Sequence, residues 1–245
     1  MKKKHNFSNK IYNSNVWVII PAAGSGKRIG KNKNKLLLEV NGKPIIWYTL
    51  KIFQESNRIN GIVLVVNEKE LNLLTNLIKK WDFSKVKNIV IGGKERQNSV
   101  YNGLLSLKEI NPEIILIHDG ARPLINEEII NLSIDFVKKY KAVIVAVPVK
   151  DTIKQSKIYN NNIIVDKTIP RDNLWLIQTP QTFDYNLLLD AFERLKDYSV
   201  TDESMLLEKL GVKVYIIMGD YKNIKITTPE DIELFKFYLD DFSRV

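Results

Sequence analysis

The stretch that decides the fold is Val16-Trp17-Val18-Ile19-Ile20-Pro21-Ala22-Ala23-Gly24-Ser25-Gly26-Lys27-Arg28-Ile29-Gly30. Its first five residues are all apolar, which is typical of a buried strand. Small residues and glycines follow, and they let a ligand approach the main-chain N–H groups closely. Two cations, Lys27 and Arg28, come next. N–H donors at close range combined with fixed positive charge suit a phosphate-bearing ligand.

The spacing of the glycines excludes two common nucleotide-binding loops. Gly24-x-Gly26-x-x-x-Gly30 is one residue too long for Gly-x-Gly-x-x-Gly, and no acidic residue is clearly placed to bind a ribose. The loop also lacks the Gly-x-x-x-x-Gly-Lys-[Ser/Thr] arrangement. A nicotinamide-dependent oxidoreductase and a P-loop ATPase are therefore disfavoured. An ordinary turn between a strand and a helix is the alternative interpretation of this loop.

The apolar pattern after this loop alternates between strands and helices. Strands are predicted at residues 61–66, 86–91, 114–117 and 142–147, and helices at 44–58, 68–81, 98–107 and 126–139. Continuous apolar strands separated by helices predict an α/β fold, a Rossmann-like, mostly parallel twisted sheet with helices on both faces. Right-handed crossovers then place the loops after the strands at one edge of the sheet.

The pattern changes after Pro148. Residues 149–173 are polar with a weak alternation, and Asn160, Asn161 and Asn162 look like a hairpin tip. We therefore expect an extended β-arm at about residues 148–172, which must pack on the domain or on a partner subunit because a lone hairpin is unstable. Beyond the arm, helices are predicted at 184–195, at 202–210 and from 229 onwards, with strands at 212–218 and 224–226. Residues 15–245 are expected to form a single domain.

The charge is concentrated at the start of the chain. Of the 37 Lys and Arg residues, nine lie in residues 1–35 with no acidic residue, and the other 28 equal the number of Asp and Glu residues. A site that attracts small polyanions explains this better than a nucleic-acid surface, which usually spreads its cations along a face. Residues 1–14 are expected to be a disordered basic tail.

The composition also bounds the location of the protein. The chain has 245 residues, 44% of them hydrophobic, and no cysteine. We therefore expect a globular protein of a reducing compartment, the cytoplasm. No apolar run approaches the length of a membrane span, and the basic N-terminus has no apolar core of a secretory signal. We expect neither a membrane nor a nucleic acid among its partners.

Polar residues follow the third and fourth predicted strands. Asp119 lies at the end of the fourth strand, where a carboxylate can hold Mg²⁺ bound to phosphate oxygens, although such a residue is often only a turn cap. Arg122 is a candidate partner for Asp119, and His118 is expected to be a hydrogen-bonded structural residue. The segment from Gly92 to Ser99 suits recognition of a base or ribose, or equally a loop and a helix N-cap.

Seven motifs in order, spanning about residues 16–240, resemble the 2-C-methyl-D-erythritol 4-phosphate cytidylyltransferases of the non-mevalonate isoprenoid pathway. They are Pro21-Ala22-Ala23-Gly24-Ser25-Gly26-Lys27-Arg28 with Lys35, His118-Asp119-Gly120-Ala121-Arg122-Pro123, Val149-Lys150-Asp151-Thr152, Pro170-Arg171-Asp172-Asn173-Leu174-Trp175, Gln178-Thr179-Pro180-Gln181, Thr201-Asp202-Glu203 and Asn223-Ile224-Lys225. Each motif is weak alone, and the ordered set is specific.

The resemblance implies a reaction between CTP and 2-C-methyl-D-erythritol 4-phosphate, with Mg²⁺, that gives a CDP-alcohol and pyrophosphate. It implies a homodimer in which the arm at about 148–172 reaches the partner's site. The positions that match the family's catalytic residues are Arg28, Lys35, Arg171 and Lys225. Those that match nucleotide contacts are Pro21, Ala22, Ala23, Gly24, Gly26, Gly93, Ser99 and Gly120. Those that match the acceptor pocket are Asp119, Arg122, Thr152, Thr179 and Thr201, and Asp119 is also the implied metal ligand.

The chain departs from the family pattern at three positions. Asn34-Lys35-Leu36 stands where the family usually has Pro-Lys-Gln. Lys94 stands where an Asp is often found near the nucleotide, and Gly120 replaces an Ala.

Two alternative functions remain at this stage. The first is a ribitol 5-phosphate cytidylyltransferase, a family that tends to read Leu-Ala-Gly-Gly and His-Asp-Ser-Val-Arg-Pro at the corresponding motifs. The second is a non-catalytic nucleotide-binding or nucleic-acid-binding protein, which would show no turnover.

Overall fold

A mostly parallel seven-stranded sheet forms the centre of the molecule. The computed structural model describes residues 14–24 and 34–242. The strands are β1 (Val16–Pro21), β2 (Glu39–Val40), β3 (Lys43–Pro44), β4 (Gly61–Val66), β5 (Val86–Ile91), β6 (Ile114–Ile117), β7 (Ala142–Pro148), β8 (Ile153–Tyr159), β9 (Asn162–Ile169), β10 (Trp175–Asp184) and β11 (Tyr215–Met218). The order in the sheet is β11-β7-β10-β6-β1-β4-β5. The pairs are parallel except those of β10, which runs antiparallel to both neighbours. The predicted sheet is confirmed.

Helices cover both faces of the sheet, as predicted. They are α1 (Ile45–Glu55), α2 (Leu71–Lys80), α3 (Arg96–Leu105), α4 (Glu127–Tyr140), α5 (Tyr185–Arg194), α6 (Ser204–Lys209) and α7 (Pro229–Phe242). Alternate residues of β1 point to opposite faces, so that Val18 joins the core under α1, α2 and α4, and Ile19 joins the core under α3, α5 and α6. Burial on both faces is the reason why β1 reads as an uninterrupted apolar run.

Strand β10 was not predicted. It lies in the middle of the sheet although its sequence contains Pro180, which cannot donate a hydrogen bond to a ladder. The register with β7 shifts between Ile177 and Gln181, and this irregularity accommodates the proline. Because β10 is antiparallel, the irregular part lies beside the carboxyl end of β6.

The predicted strand at 224–226 is wrong. The segment forms no ladder. Its backbone hydrogen bonds run from the Ile226 N–H to the Ala121 carbonyl at 2.9 Å and from the Ile224 N–H to the Lys222 carbonyl at 2.7 Å. Ile226 is buried and ties the segment to the loop that follows β6. The predicted strand at 212–218 forms only over β11.

The predicted β-arm is present as the hairpin β8–β9. Asn160 and Asn161 form its tip with φ values of 47° and 60°, which asparagine tolerates in tight hairpin turns. Ile158 and Ile163 are each 80% exposed in the single chain. The arm therefore presents apolar side chains that no other described part of the chain covers.

None of the described helices combines the length and apolar character needed to cross a lipid bilayer.

Candidate active site

A cavity of about 820 Å³ lies at the carboxyl ends of β1, β4, β5 and β6. This is the edge at which α/β sheets bind their ligands, and the volume is typical of a small-molecule site. Its walls combine small residues and main chain with the cations Lys35, Lys94, Arg96 and Lys225. The cavity can therefore accept a ligand that carries both a flat ring and negative charge.

A second, smaller cavity of about 140 Å³ adjoins the first. Arg96, Asp119 and Lys225 line both cavities, so the two ligand spaces meet at one group of charged side chains. The rest of the smaller cavity includes Arg122 and Thr179. Two polyanionic ligands can thus approach each other at shared cations.

The structure places most of the predicted site residues on these two cavities. Those on the larger cavity are Pro21, Ala22, Ala23, Gly24, Lys35, Gly93, Ser99, Asp119, Gly120 and Lys225. Those on the smaller cavity are Asp119, Arg122, Thr179, Thr201 and Lys225.

Two of the predicted residues that the structure describes are not brought to the cavities. Arg28 and Gly26, with the rest of 25–33, lie outside the described residues, as do residues 1–13 of the tail predicted at 1–14. Thr152 and Arg171 line neither cavity, and both are exposed at the base of the arm. Arg171 donates a hydrogen bond to the Lys150 carbonyl.

Asp119 is the centre of the charged group. Its Oδ2 lies 2.9 Å from Lys225 Nζ and 3.4 Å from Arg122 Nε, and its Oδ1 lies 3.3 Å from Arg96 Nε. Burial acts to raise the pKa of Asp119, but Arg96, Lys225 and Arg122 together hold that pKa well below its usual range. Asp119 is therefore ionised, and it holds three cations close together despite their mutual repulsion.

Arg96 and Glu203 are site residues that the sequence did not single out. Arg96 Nη1 lies 2.6 Å from Oε1 of Glu203, whose side chain is fully buried. Burial acts to lower the pKa of Arg96, but the carboxylates of Glu203 and Asp119 outweigh this effect, so that the pKa is raised overall. Arg96 therefore links two carboxylates on different segments. Its place three residues after Gly93, at a strand end, was the available signal.

Thr179 and His118 support the Asp119 main chain. The Asp119 N–H donates to Thr179 Oγ1 at 3.0 Å, and Thr179 Oγ1 lies 3.1 Å from His118 Nδ1. His118 Nε2 lies 3.0 Å from the Arg122 carbonyl, which only accepts, so Nε2 carries the proton and Nδ1 accepts from Thr179. Burial lowers the pKa of His118 to about 4. His118 is a neutral structural residue, as expected.

Arg122 and Asn223 bring Lys225 to the site. Arg122 Nη1 donates to the Asn223 carbonyl at 2.8 Å, and the fully buried Asn223 donates through Nδ2 to the Thr179 carbonyl at 3.0 Å. Two residues further on, Lys225 reaches Asp119. Lys35 approaches the same segment, since its Nζ donates to the Ile226 carbonyl at 2.7 Å.

The loop after β5 is held by Ser99. Its hydroxyl accepts from the Gly93 N–H and donates to the Glu95 carbonyl, both at 3.1 Å. A Cβ at Gly93 would come within 2.3 Å of Asn98 Cβ, so only glycine fits there. Glu95 and Asn98 form a capping box at the start of α3. The segment from Gly92 to Ser99 therefore forms the helix N-cap, and its loop also forms a wall of the larger cavity.

Asp119 is a candidate ligand for a divalent cation. Among the residues that the structure describes, no three His, Cys, Asp or Glu side chains group together as a metal site. Mg²⁺ commonly takes one or two carboxylates and completes its shell with substrate phosphates and water. The ionised Asp119 among three cations fits a metal ion that arrives on the phosphates of a nucleotide, and it does not fit a metal ion held by the protein alone.

The fold and the site define a class of protein. A parallel α/β sheet carries, at its ligand-binding edge, a cavity with small walls and a second cavity that shares its cations. This arrangement is typical of enzymes that transfer a nucleotidyl or phosphoryl group by positioning and charge stabilisation.

Comparisons with known proteins identify the family. The sequence profile of 2-C-methyl-D-erythritol 4-phosphate cytidylyltransferase matches residues 16–241. Proteins of that name from Alkaliphilus oremlandii and Clostridioides difficile are 51% and 47% identical to the chain over 218 and 220 residues. These alignments cover 88% and 89% of this chain, and 91% and 90% of the relatives.

Solved structures agree. The 4-diphosphocytidyl-2C-methyl-D-erythritol synthase of Anaerococcus prevotii superposes with a TM-score of 0.79 at 35% identity, covering 93% of this chain and 97% of that chain. The Francisella tularensis cytidylyltransferase gives a TM-score of 0.74 at 33% identity, covering 91% and 99%. The chain belongs to the 2-C-methyl-D-erythritol 4-phosphate cytidylyltransferase family, and it is a CTP-dependent nucleotidyltransferase.

The buried His118 predicts a pH dependence of stability. Its pKa falls from 6.5 in the unfolded chain to about 4 in the folded protein, so between these values the unfolded state binds more protons. Stability from this group is therefore complete above pH 6.5 and is lost as the pH falls towards 4, by about 3 kcal/mol. The free energies of unfolding of the wild type and of the His118→Gln variant should be measured in urea from pH 4.5 to 7.5. The difference between them should increase with pH and level off near pH 7, whereas a constant difference would contradict the burial of a neutral imidazole.

Proposed function

We propose that the protein transfers CMP from CTP to the phosphate of 2-C-methyl-D-erythritol 4-phosphate. The products are 4-diphosphocytidyl-2-C-methyl-D-erythritol and pyrophosphate, in isoprenoid precursor biosynthesis. The observation that carries the proposal is the pair of adjoining cavities that share Arg96, Asp119 and Lys225. Transfer between two polyanions requires that their phosphates meet among cations, and these cavities meet at such a place.

The reaction needs little covalent chemistry from the protein. The acceptor is a phosphomonoester, which is already ionised and nucleophilic at neutral pH. One of its oxygens forms a bond to the α-phosphorus of CTP, and the bond from that phosphorus to the bridging oxygen breaks, so that pyrophosphate leaves with the electron pair. Catalysis then depends on in-line positioning and on stabilisation of the developing charge. The neutral, buried His118 is accordingly not needed as a base.

The cations divide into two groups in this proposal. Lys35, together with Arg28, stabilises the charge on the transferred group and the departing pyrophosphate. Lys225, together with Arg171, orients the phosphate of the acceptor. The position of Lys225 on both cavities supports its role, because it can contact the acceptor phosphate next to the α-phosphate.

The remaining predicted residues follow the cavities that they line. In our proposal the small residues Ala22, Ala23 and Gly93 admit the cytidine into the larger cavity, with Ser99 holding its wall. Thr179 and Thr201 belong to the acceptor side. Mg²⁺, when bound with CTP, neutralises the phosphate oxygens, and Asp119 is the residue that would hold it.

The cytoplasm remains the location that the cysteine-free composition favours.

We propose a homodimer in which each arm completes the site of the partner. Thr152 and Arg171 line neither cavity of their own chain, although they match acceptor-pocket and catalytic positions. Both lie at the base of an arm whose apolar residues, such as Ile158 and Ile163, are exposed in the single chain. Docking of the arm on a second subunit would bury these side chains and bring Arg171 to the acceptor side.

Pyrophosphate release tests the function. The purified protein should release pyrophosphate from CTP and Mg²⁺ with 2-C-methyl-D-erythritol 4-phosphate and not with ribitol 5-phosphate. Release with ribitol 5-phosphate alone would contradict the proposed acceptor and leave the transfer chemistry intact. No release with either acceptor, from protein that binds CTP, would indicate a non-catalytic nucleotide-binding protein.

Mixing of inactive variants tests the shared site. Lys35→Ala and Arg171→Ala each remove one catalytic cation, and both homodimers should be nearly inactive. If Arg171 serves the partner's site, a mixed dimer has one site that lacks both cations and one intact site. Random exchange of subunits should then restore about a quarter of the wild-type rate, since half of the dimers are mixed and each has one working site.

The control for this experiment mixes Lys35→Ala with Lys225→Ala. Both residues lie on cavities of the same chain, so every site in the mixture lacks one of them and activity should not return. Failure of the first mixture to recover, when subunit exchange is demonstrated, would show that Arg171 does not act across the interface.

A further inference from the structure

Asn34, directly before Lys35, is a buried amide with all of its donors used. Its side-chain Nδ2 donates to the Ala22 carbonyl at 3.0 Å and to Glu70 Oε2 at 2.7 Å. Its Oδ1 accepts from the Leu36 N–H at 3.0 Å and so caps the 3₁₀ turn Lys35–Leu37. The residue is only 5% exposed, and it lines the larger cavity.

The orientation of this amide is determined by its neighbours. The Ala22 carbonyl and the Glu70 carboxylate can only accept, and the Leu36 N–H can only donate, so Nδ2 and Oδ1 cannot be exchanged. A buried amide with both N–H groups bonded holds its backbone firmly, because each lost hydrogen bond would leave a polar group unsatisfied. Asn34 therefore has one stable arrangement.

The three contacts join separate parts of the site. Ala22 belongs to the loop that leaves β1, and Leu36 to the turn that carries Lys35. Glu70 ends the 3₁₀ turn Glu68–Glu70, which follows β4. Asn34 thus connects the lysine-bearing turn to two strand ends of the sheet.

We propose that Asn34 and Glu70 form a positioning pair that sets the place of the Lys35 ammonium group in the reaction. The inference rests on the proposed role of Lys35 in charge stabilisation. A lysine side chain is long and flexible, so its charge is useful only where the backbone beneath it is fixed. On the far side, Lys35 Nζ donates to the Ile226 carbonyl. The pair therefore fixes the backbone of the turn Lys35–Leu37, while the Lys35 ammonium group reaches the segment around Ile226.

The negative charge of Glu70 also favours a positioning role over a role in ligand binding. An anionic side chain near a cavity for polyanions opposes ligand binding, so its presence there needs a reason other than affinity. The 2.7 Å contact with Asn34 is such a reason, since hydrogen bonds to ionised acceptors are shorter and stronger than neutral ones. If Glu70 positions Lys35, its replacement should lower kcat. If Glu70 acts only through its charge, its replacement should lower the KM for CTP and leave kcat unchanged.

Steady-state kinetics of four variants test the pair. Asn34→Asp keeps the acceptor for Leu36 but turns an oxygen towards Ala22 and Glu70, and Glu70→Ala removes the anchor. Both should lower kcat about tenfold or more, because a displacement of about 1 Å at a reacting group can cost on the order of a hundredfold. Glu70→Gln keeps an acceptor oxygen and should retain most of kcat. Glu68→Ala is the matched control, since it removes an exposed carboxylate from the same turn, and it should leave kcat unchanged.

A double variant provides the rescue. In Asn34→Asp combined with Glu70→Gln, the new amide can donate to the new carboxylate, so the hydrogen bond returns with reversed polarity and the net charge equals that of the wild type. Its kcat should exceed that of Asn34→Asp alone. If Glu70→Ala only lowers the KM for CTP and keeps kcat, Glu70 acts as a charge and the pair is refuted. Additive effects in the double variant would also refute it.

A measurement without turnover separates this inference from the proposed function. Reductive ¹³C-methylation labels the lysines for NMR, and a Lys35→Arg variant assigns the Lys35 signal. The signal should differ from those of surface lysines in the wild type and move towards them in Asn34→Asp. An unchanged signal would overturn the positioning pair, whereas wild-type protein without pyrophosphate release would overturn only the function.

Discussion

The site depends on one buried carboxylate. Asp119 loses hydration on burial, and its ion pairs with Arg96, Arg122 and Lys225 compensate for this loss. The cations in turn repel one another and stay together because Asp119 lies between them. Glu203 provides a second anion on the far side of Arg96. The two cavities meet at this group, with Arg96 and Lys225 at the walls of both.

The contacts around Asp119 connect distant parts of the chain to the carboxyl edge of the sheet. Asp119 lies two residues after the end of β6, and its N–H group donates to Thr179 in the irregular part of β10. Arg122 fixes the segment around Asn223, which carries Lys225. The antiparallel strand in an otherwise parallel sheet therefore also supplies part of the wall of the smaller cavity.

The sequence predicted the parts of the site that follow from local pattern. Apolar runs located β1, β4, β5, β6 and β7, and the residues after them were candidates because parallel strands end at one edge. It did not predict β10, because a proline and several polar residues are atypical of a central strand. It also predicted a strand at 224–226 that does not form. Arg96 was also missed, and Asn34 was noted only as a departure from the family pattern. Their roles come from contacts with residues distant in sequence, such as Glu203 and Glu70. Those contacts become visible only when the strands are assembled.

The most direct test of the central role of Asp119 is the affinity for CTP without any divalent cation. Isothermal titration should compare the wild type with the Asp119→Asn variant, after thermal unfolding shows that both are folded. We expect tighter binding of metal-free CTP by the variant, because Arg96, Arg122 and Lys225 lose the anion that neutralises them. We also expect a large loss of turnover in the presence of Mg²⁺. Equal or weaker binding by the variant, or unchanged turnover, would show that Asp119 does not organise these cations.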